Sequence, residues 1–240
     1  MFKKSRKAVL NLYTTRVDAY HYAQWQKASS VKPKWWKDIP NIEPSFDMPF
    51  GGQTMKHCTG FNDLYKNAFL IPLWSDVMLG YSKKGESGWK YVFADEVSKL
   101  TCHPQFQRGE WLPEDQYQHF KFNTPWMAEC TDDINFLYTS AEYQNNNPFK
   151  FLTLNGVVNY KEFLGTDVNV VLPRQDEDTE IVLPKNEILA MVVPLTDKQV
   201  EIRHHLITQD EMIKRKHKAK PFLWFSNGYK KAKKCPFKFN

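Results

Sequence analysis

The stretch VNVVLPRQDEDTEIVLPKNEILAMVVPL, residues 168–195, indicates the fold class of this chain. It contains three short runs rich in β-branched and aliphatic residues, at 168–173, 180–184 and 187–195, and the turn residues RQDED and PKN separate them. Short apolar runs bounded by polar turns predict β-strands joined by tight connections. Residues 168–195 therefore predict three successive strands.

The same pattern continues on both sides of this stretch. Further strands are predicted at 7–15, 69–81, 89–95, 126–130, 134–140, 149–154 and 200–206, with turns at 50–53 and 83–88. Pro72 places the long 69–81 strand at a sheet edge or at a bend, because proline cannot donate a ladder hydrogen bond. Many short strands with polar turns predict an all-β fold, with a barrel or jelly-roll-like core.

Two segments predict helices. TGFNDLYKNA (59–68) begins with Thr59 as a candidate N-cap, and ITQDEMIKRKHKAK (207–220) has Thr208 and Glu211 at the spacing of a capping box and ends before Pro221. Residues 21–29 are compatible with either a short helix or an irregular segment. The chain is thus divided into an N-terminal extended arm (1–50), a β core (51–206) and a helix with a basic aromatic tail (207–240), all within one domain.

Composition limits the classes of function. Hydrophobic residues make up 42% of the chain and aromatic residues 15%, which favours β structure and assembly through interfaces. No apolar run is long enough for a transmembrane helix, and AVLNLY (8–13) is too short and too polar for a signal-peptide core. The four cysteines are scattered, as in proteins of a reducing compartment.

The net charge of +6 is concentrated at the C-terminal end. Residues 214–240 contain ten basic side chains and no acidic one: Lys214, Arg215, Lys216, Lys218, Lys220, Lys230, Lys231, Lys233, Lys234 and Lys238. Such a tail suits nucleic acid or an acidic protein surface. The alternative is a solvated tail whose aromatic rings pack on the body of the protein.

Proline and tryptophan mark the N-terminal arm at residues 31–44. We expect the three prolines of this segment to prevent regular structure. Trp35 and Trp36 would anchor the arm, either on the core of the same chain or on another subunit.

Motifs for catalysis and for metal or cofactor binding are not evident. No nucleophile motif or phosphate-binding glycine loop occurs. His57-Cys58 and Cys102-His103 could supply four zinc ligands, but adjacent residues on a strand point to opposite faces. We therefore predict no catalytic residue, no metal site and no cofactor.

One resemblance covers the central part of the chain. The succession INFLYTSAEY, LNGVVNY, VNVVL and IVLPKNEILAMVVP, within 134–194, resembles the central run of the dUTP pyrophosphatase barrel family. Gly156 fits that family's hairpin, but Asn159, followed by Tyr160, replaces its aspartate, and Asn186 replaces a later glycine. Residues 138–140 lack the family's phosphate-binding arginine. The resemblance implies a barrel, by analogy a trimer, without the general base that hydrolysis requires.

A second resemblance covers most of the chain. The segments that carry it are PKWWKDIP, KHCTGFNDLYKNAFLIPLWSDVML, CHPQFQ, KFNTPWMAEC and LNGVVNY, in that order. They resemble a family of proteins encoded by tailed bacteriophages, including marine myoviruses. This resemblance implies synthesis in the bacterial host cytoplasm and a place in the virion.

The leading expectation is a non-enzymatic bacteriophage protein that acts by assembly, as a component of capsid, neck, tail or baseplate. Its partners would be other virion proteins or copies of itself, with nucleic acid as a candidate partner of the basic tail and no membrane. The alternative is an intracellular phage enzyme or binding protein that acts on a nucleotide or small metabolite through a dUTP pyrophosphatase-like barrel.

Overall fold

The computed structural model describes residues 7–43, 52–83, 88–104, 106, 110–111, 113, 115–141, 143–144 and 151–223, the last six of these by backbone alone. The turns predicted at 50–53 and 83–88 lie partly outside the described residues. Lys230, Lys231, Lys233, Lys234 and Lys238 of the basic tail lie outside them entirely.

The described chain forms fifteen β-strands and four α-helices. The strands are β1 (Ala8–Thr14), β2 (Gln26–Lys27), β3 (Phe69–Pro72), β4 (Val77–Ser82), β5 (Gly88–Phe93), β6 (Leu100–His103), β7 (Tyr117–Phe122), β8 (Met127–Cys130), β9 (Asn135–Thr139), β10 (Leu152–Thr153), β11 (Gly156–Asn159), β12 (Val168–Pro173), β13 (Thr179–Leu183), β14 (Ile188–Pro194) and β15 (Val200–Leu206). The helices are α1 (Val17–Tyr22), α2 (Lys34–Asp38), α3 (Thr59–Asn67) and α4 (Gln209–Leu223), with 3-10 turns at Ala28–Ser30 and Met55–His57.

The strands lie in four sheets. Sheet I has the order β15-β1-β8, sheet II β10-β12-β7-β6, sheet III β11-β9-β14-β3-β2, and sheet IV β13-β4-β5. Neighbouring strands are antiparallel except β1 and β15, which run parallel from Ala8↔Val200 to Thr14↔Leu206. The all-β prediction is confirmed, and within the described residues the four sheets are open rather than closed into one barrel.

One hydrophobic cluster joins the four sheets. Leu10 of β1, Ile71 of β3, Leu79 of β4, Phe120 of β7 and Phe136 of β9 all belong to it and are at most 1% exposed. β1 lies at the centre of sheet I, so Ala8–Thr14 of the predicted arm are part of the β core. A second, smaller cluster packs around α3.

The expectation that prolines prevent regular structure throughout 31–44 is wrong for α2. Pro33 is the N-cap of this helix, in extended conformation, and Pro40 follows its end. A proline at the start of a helix removes no helical hydrogen bond, because the first N–H groups have no partner there. The two prolines therefore delimit α2 instead of excluding it.

The single strand predicted at 69–81 is two strands, β3 and β4, in different sheets. The chain turns between them, where the Lys185 backbone N–H donates to Asp76 Oδ1 at 2.6 Å and the Ala94 N–H donates to the Asp76 carbonyl at 2.9 Å. Pro72 lies at the end of β3, where β14 shifts its register between Ile188 and Ala190. Pro72 was predicted to lie either at a sheet edge or at a bend, and in the structure it lies at a bend.

Both predicted helices are present, with different ends. α3 has Cys58 as its N-cap, without a side-chain hydrogen bond, and Thr59 is its first residue. The capping box of α4 is confirmed, because Glu211 N donates to Thr208 Oγ1 at 3.3 Å and Thr208 N donates to Glu211 Oε2 at 3.0 Å. The prediction that this helix ends before Pro221 is wrong, because α4 continues to Leu223. Proline has no backbone N–H, so the helix passes Pro221 without the hydrogen bond that another residue would donate there.

Four of the described strands were not predicted: β2, β6, β7 and β11. The strand predicted at 149–154 lies partly outside the described residues, and within them only the two residues of β10 are in a strand. Among the described residues, no helix combines the length and apolar character needed to span a membrane.

Candidate functional sites

The predicted hairpin segment that resembles the dUTP pyrophosphatase site contains β11, which pairs antiparallel with β9 and places Asn159 opposite Asn135. β10, which pairs in sheet II, comes between β9 and β11 along the chain. Asn159 is 5% exposed. Its Nδ2 donates to Asp133 Oδ1 at 2.6 Å and lies 3.3 Å from Asn135 Oδ1, while its Oδ1 accepts from the Lys161 backbone N–H at 3.0 Å. Both ends of the amide are therefore occupied by groups of the same chain.

The neighbouring residues of the hairpin are also structural. The Tyr160 hydroxyl hydrogen-bonds the Tyr138 hydroxyl in the core. Burial raises the pKa of both phenols, so both stay protonated over the physiological range. Gly156 is exposed, and a Cβ at its position would meet nothing within 4 Å. Of the predicted site residues, Asn159 and Tyr160 are therefore buried and hydrogen-bonded within the chain, and Gly156 is exposed at the start of β11.

A cleft of about 690 Å³ lies beside the loop that follows this hairpin. Its walls come from the segment between β11 and β12, the segment between β7 and β8, and one face of α4. The apolar lining residues are Val97, Pro125, Trp126, Met127, Phe163, Leu164 and Met212. This volume lies within the range of small-molecule sites in proteins.

Asp167 is the one carboxylate among the described residues that line the cleft. Desolvation raises the pKa of Asp167, and the Lys121 ammonium, 3.7 Å away, opposes that rise. Arg16 also lines the cleft, but its guanidinium already pairs with Asp18 and lies 3.5 Å from Asp95. The other charged residues that line the cleft are Asp167, with its Lys121 partner, and the exposed Lys216.

Sequence reasoning missed this cleft. In the sequence, Asp167 follows Gly165 and Thr166 and has the context of an ordinary turn residue. The residues that line the cleft with it, from Thr15 to Lys216, are far apart in the sequence and come together only in the folded chain. No local signal marked Asp167 as a half-buried cleft residue.

Trp35 and Trp36 pack on the second hydrophobic cluster of their own chain. Their rings lie 5.8 and 6.5 Å from the Phe61 ring, and Trp35 Nε1 donates to the Tyr143 carbonyl at 2.8 Å. Lys32 Nζ lies 3.4 Å from the Trp36 ring centroid, in a cation–π contact. Both indoles are half-buried by these contacts within their own chain.

The start of the basic segment lies on α4. Arg215 Nη1 donates to Glu129 Oε2 at 2.7 Å, and its guanidinium lies 3.9 Å above the Tyr13 ring. Lys214 and Lys216 are exposed. Lys218 and Lys220 lie further along the same helix, which places the first part of the basic segment on a helix docked against sheet I.

The Cys–His pairs do not form a metal centre in the part of the chain that is described. His57-Cys58 lies at the 3-10 turn before α3, and Cys102-His103 lies on β6. Among the described residues, no three His, Cys, Asp or Glu side chains gather where they could hold a metal ion.

Comparison with known proteins gives no relative. No protein-family model, no curated protein and no solved structure matches the chain.

Proposed function

We propose that this chain is a non-enzymatic protein of a tailed bacteriophage that works by assembly, as a component of capsid, neck, tail or baseplate. The observation that carries the proposal is the closed hydrogen-bond network around Asn159. Where the dUTP pyrophosphatase family has an ionisable carboxylate, this chain has a buried amide whose donor and acceptor are both used in holding the hairpin. An amide cannot act as a general base.

Two features support the kinship with the dUTP pyrophosphatase barrel that accompanies this proposal. β11, β9 and β14 are antiparallel neighbours in sheet III and contain parts of three of the four segments that resemble the family, while VNVVL forms β12 of sheet II. Asn186 has a φ of 71°, in the left-handed region, at the position where that family has a glycine. Asparagine tolerates this conformation better than most residues with a side chain.

The virion proposal is tested by proteomics of purified particles from the phage that encodes the chain. The chain should copurify with the major capsid protein at a constant ratio through successive density gradients. An abundant host cytoplasmic enzyme serves as the carry-over control. Abundance in infected-cell lysate with repeated absence from particles would overturn the proposal.

A second candidate function is ligand binding by an intracellular phage protein, and the cleft favours it. A largely apolar cleft with one partly desolvated carboxylate is a common form of small-molecule site. The test is a thermal-shift and turnover screen against a nucleotide and metabolite panel, with and without Mg²⁺. A hit should be lost in Asp167→Asn and kept in Asp63→Asn, which changes an exposed aspartate on α3. No hit across the panel would contradict this candidate.

A further inference from the structure

The outer face of sheet IV carries a row of exposed aliphatic side chains. Val182 of β13, Met78 of β4 and Val92 of β5 are aligned in register across the three strands. They are 57%, 42% and 60% exposed. The alternate residues Leu79 and Phe93 point into the core and are buried, so the row belongs to the opposite, solvent-facing side.

The next row on the same face is charged at its two ends. Glu180, Gly80 and Lys90 are aligned across β13, β4 and β5, two residues along from the aliphatic row. Glu180 and Lys90 are exposed, and within the described part of the chain neither is in an ion pair. A Cβ at Gly80 would meet nothing within 4 Å, so the centre of this row is open.

We propose that this face binds a second copy of the same chain about a twofold axis parallel to β4. Such a rotation places β13 of one copy opposite β5 of the other and β4 opposite β4. It does not move residues along the strand direction, so each row faces the same row of the partner copy. Val182 then faces the partner copy's Val92, and Met78 faces its own counterpart. Each Lys90 faces the partner copy's Glu180, twice per dimer.

Charge complementarity identifies the occupant as a second copy. An isologous interface must be self-complementary, which requires the positive and negative positions to exchange under the twofold rotation. The positions of Glu180 and Lys90, on opposite edge strands and equally far from β4, meet that requirement. Two sheets packed face to face lie about 10 Å apart, and the open position at Gly80 leaves room there for the long charged side chains.

The size of the face sets the strength of the contact. Three strands of about five residues cover roughly 14 by 17 Å, well below the ~800 Å² per partner of a standard stable interface. We therefore expect a reversible dimer with a dissociation constant in the micromolar range or weaker. Repetition of such a contact in a particle would strengthen it through multivalency.

This inference rests on the proposed assembly function and specifies its partner surface. The experiment is sedimentation equilibrium of the purified full chain over a wide concentration range. The wild type should dimerise reversibly, and Met78→Lys should weaken the dimer about tenfold or more, since it sets two charges against each other on the axis. Lys161→Glu, a charge reversal at an exposed residue elsewhere, is the matched control and should leave the dimer unchanged.

Charge exchange tests the twofold geometry itself. Lys90→Glu and Glu180→Lys should each weaken self-association about tenfold or more, whereas the double variant K90E/E180K should recover it. Mixing the two single variants should give a heterodimer, because both cross-contacts then join opposite charges. Circular dichroism of each variant confirms that it is folded.

Several results would overturn the inference. They are a wild type that stays monomeric at the highest soluble concentration, an oligomer insensitive to Met78→Lys, and a mixture of the single variants that does not associate. The two proposals fail separately: a monomer found in particles refutes only the sheet IV contact, and a dimer absent from particles refutes only the virion function.

Discussion

At the scale of single residues, the side chain at position 159 holds β11 and the turn that follows it. The Asn159 amide donates to Asp133 and accepts from the backbone of Lys161 at the same time. A carboxylate could accept the second bond but could not donate the first. Asparagine is therefore the side chain that the present surroundings of the hairpin require.

Asn159→Asp tests whether the hydrogen bonds at position 159 require an amide. The introduced carboxylate would face Asp133 where a 2.6 Å hydrogen bond now lies, and we expect a loss of about 2–4 kcal/mol in unfolding free energy at pH 7. The introduced group would bind a proton more tightly when folded than when unfolded. Stability should therefore be recovered as the pH falls and be lost as it rises. Denaturant unfolding at pH 5 and pH 8 measures both effects.

Asn159→Ala is the control for this substitution. It removes the same hydrogen bonds without adding a charge, so its destabilisation should not grow between pH 5 and pH 8. If Asn159→Asp is as stable as the wild type at pH 8, the network around Asn159 does not hold the hairpin.

Gly165→Ala tests the packing of the cleft wall. A Cβ at Gly165 would lie 2.7 Å from Phe163 Cε1, so the ring would have to move. We expect Gly165→Ala to lower the free energy of unfolding by about 1–2 kcal/mol. The loss should be much smaller when Phe163 is already alanine. Gly60→Ala on α3, where a Cβ meets nothing within 4 Å, should cost nothing. Equal costs of Gly165→Ala in both backgrounds, from a double-mutant cycle, would contradict this contact.

At the scale of elements, the sequence predicted those strands whose hydrophobic runs are strong enough to be recognised alone. β12 and β14 are of this kind, and both are largely buried. β7 was missed because Gln118, His119 and Lys121 interrupt its aromatic residues, although it is an inner strand of sheet II. His119 of β7 is 9% exposed, and its Nε2 lies 3.2 Å from Asn169 Oδ1 of β12. A local pattern cannot reveal a polar residue whose partner is 50 residues away.

The candidate sites follow the same division. Local sequence sufficed to single out the hairpin at Gly156–Asn159, because its residues are contiguous. The Asp167 cleft is lined by segments that are far apart in the sequence, and the outer face of sheet IV depends on strand pairing, so no local pattern could predict either.

On β15, His204 makes the stability of the fold depend on pH. Its ring packs against the edge of Trp126 at 5.2 Å, and burial, followed by the charge of His205, lowers the pKa of His204 to about 4. An unfolded histidine titrates near 6.5. The native state therefore keeps its full stability above about pH 6.5 and loses stability as the pH falls from there toward 4.

His204→Phe should flatten part of this dependence, because the ring contact is kept and the titrating group is removed. Unfolding free energies at pH 7 and pH 5 should differ less in His204→Phe than in the wild type. Ile202→Val on the same strand removes no titrating group and should follow the wild-type profile. Parallel profiles for His204→Phe and the wild type would contradict the assigned role of His204.

At the scale of the whole molecule, the two ends of the described chain are bound together. β1, near the N-terminus, pairs with β15 on one side and with β8 on the other. The main hydrophobic cluster contains residues from Ala8 to Val192 and from all four sheets. An arrangement of this kind cannot lose its N-terminal strand without opening sheet I along both edges of β1.

The sheet IV contact also bears on the oligomer that the barrel resemblance implies. A twofold, isologous contact joins two copies and cannot by itself build the threefold contact of a trimer. A trimer and the sheet IV dimer would therefore use different surfaces of the chain.

We predict that the chain unfolds as one cooperative unit. Leu12 of β1 is fully buried, so Leu12→Ala should lower the unfolding free energy by about 2–5 kcal/mol. Because one core joins the sheets, circular dichroism and tryptophan fluorescence should shift to the same new midpoint. The buried Trp25, Trp74 and Trp126 report on that core.

Leu195→Ala, at a residue that is 51% exposed, is the matched control and should move the midpoint little. If Leu12→Ala separated the two probes into distinct transitions, sheet I would be an independent unit. In that case the loss of one buried leucine would destabilise sheet I alone, and the packing of β1 into the common core would not hold the four sheets together.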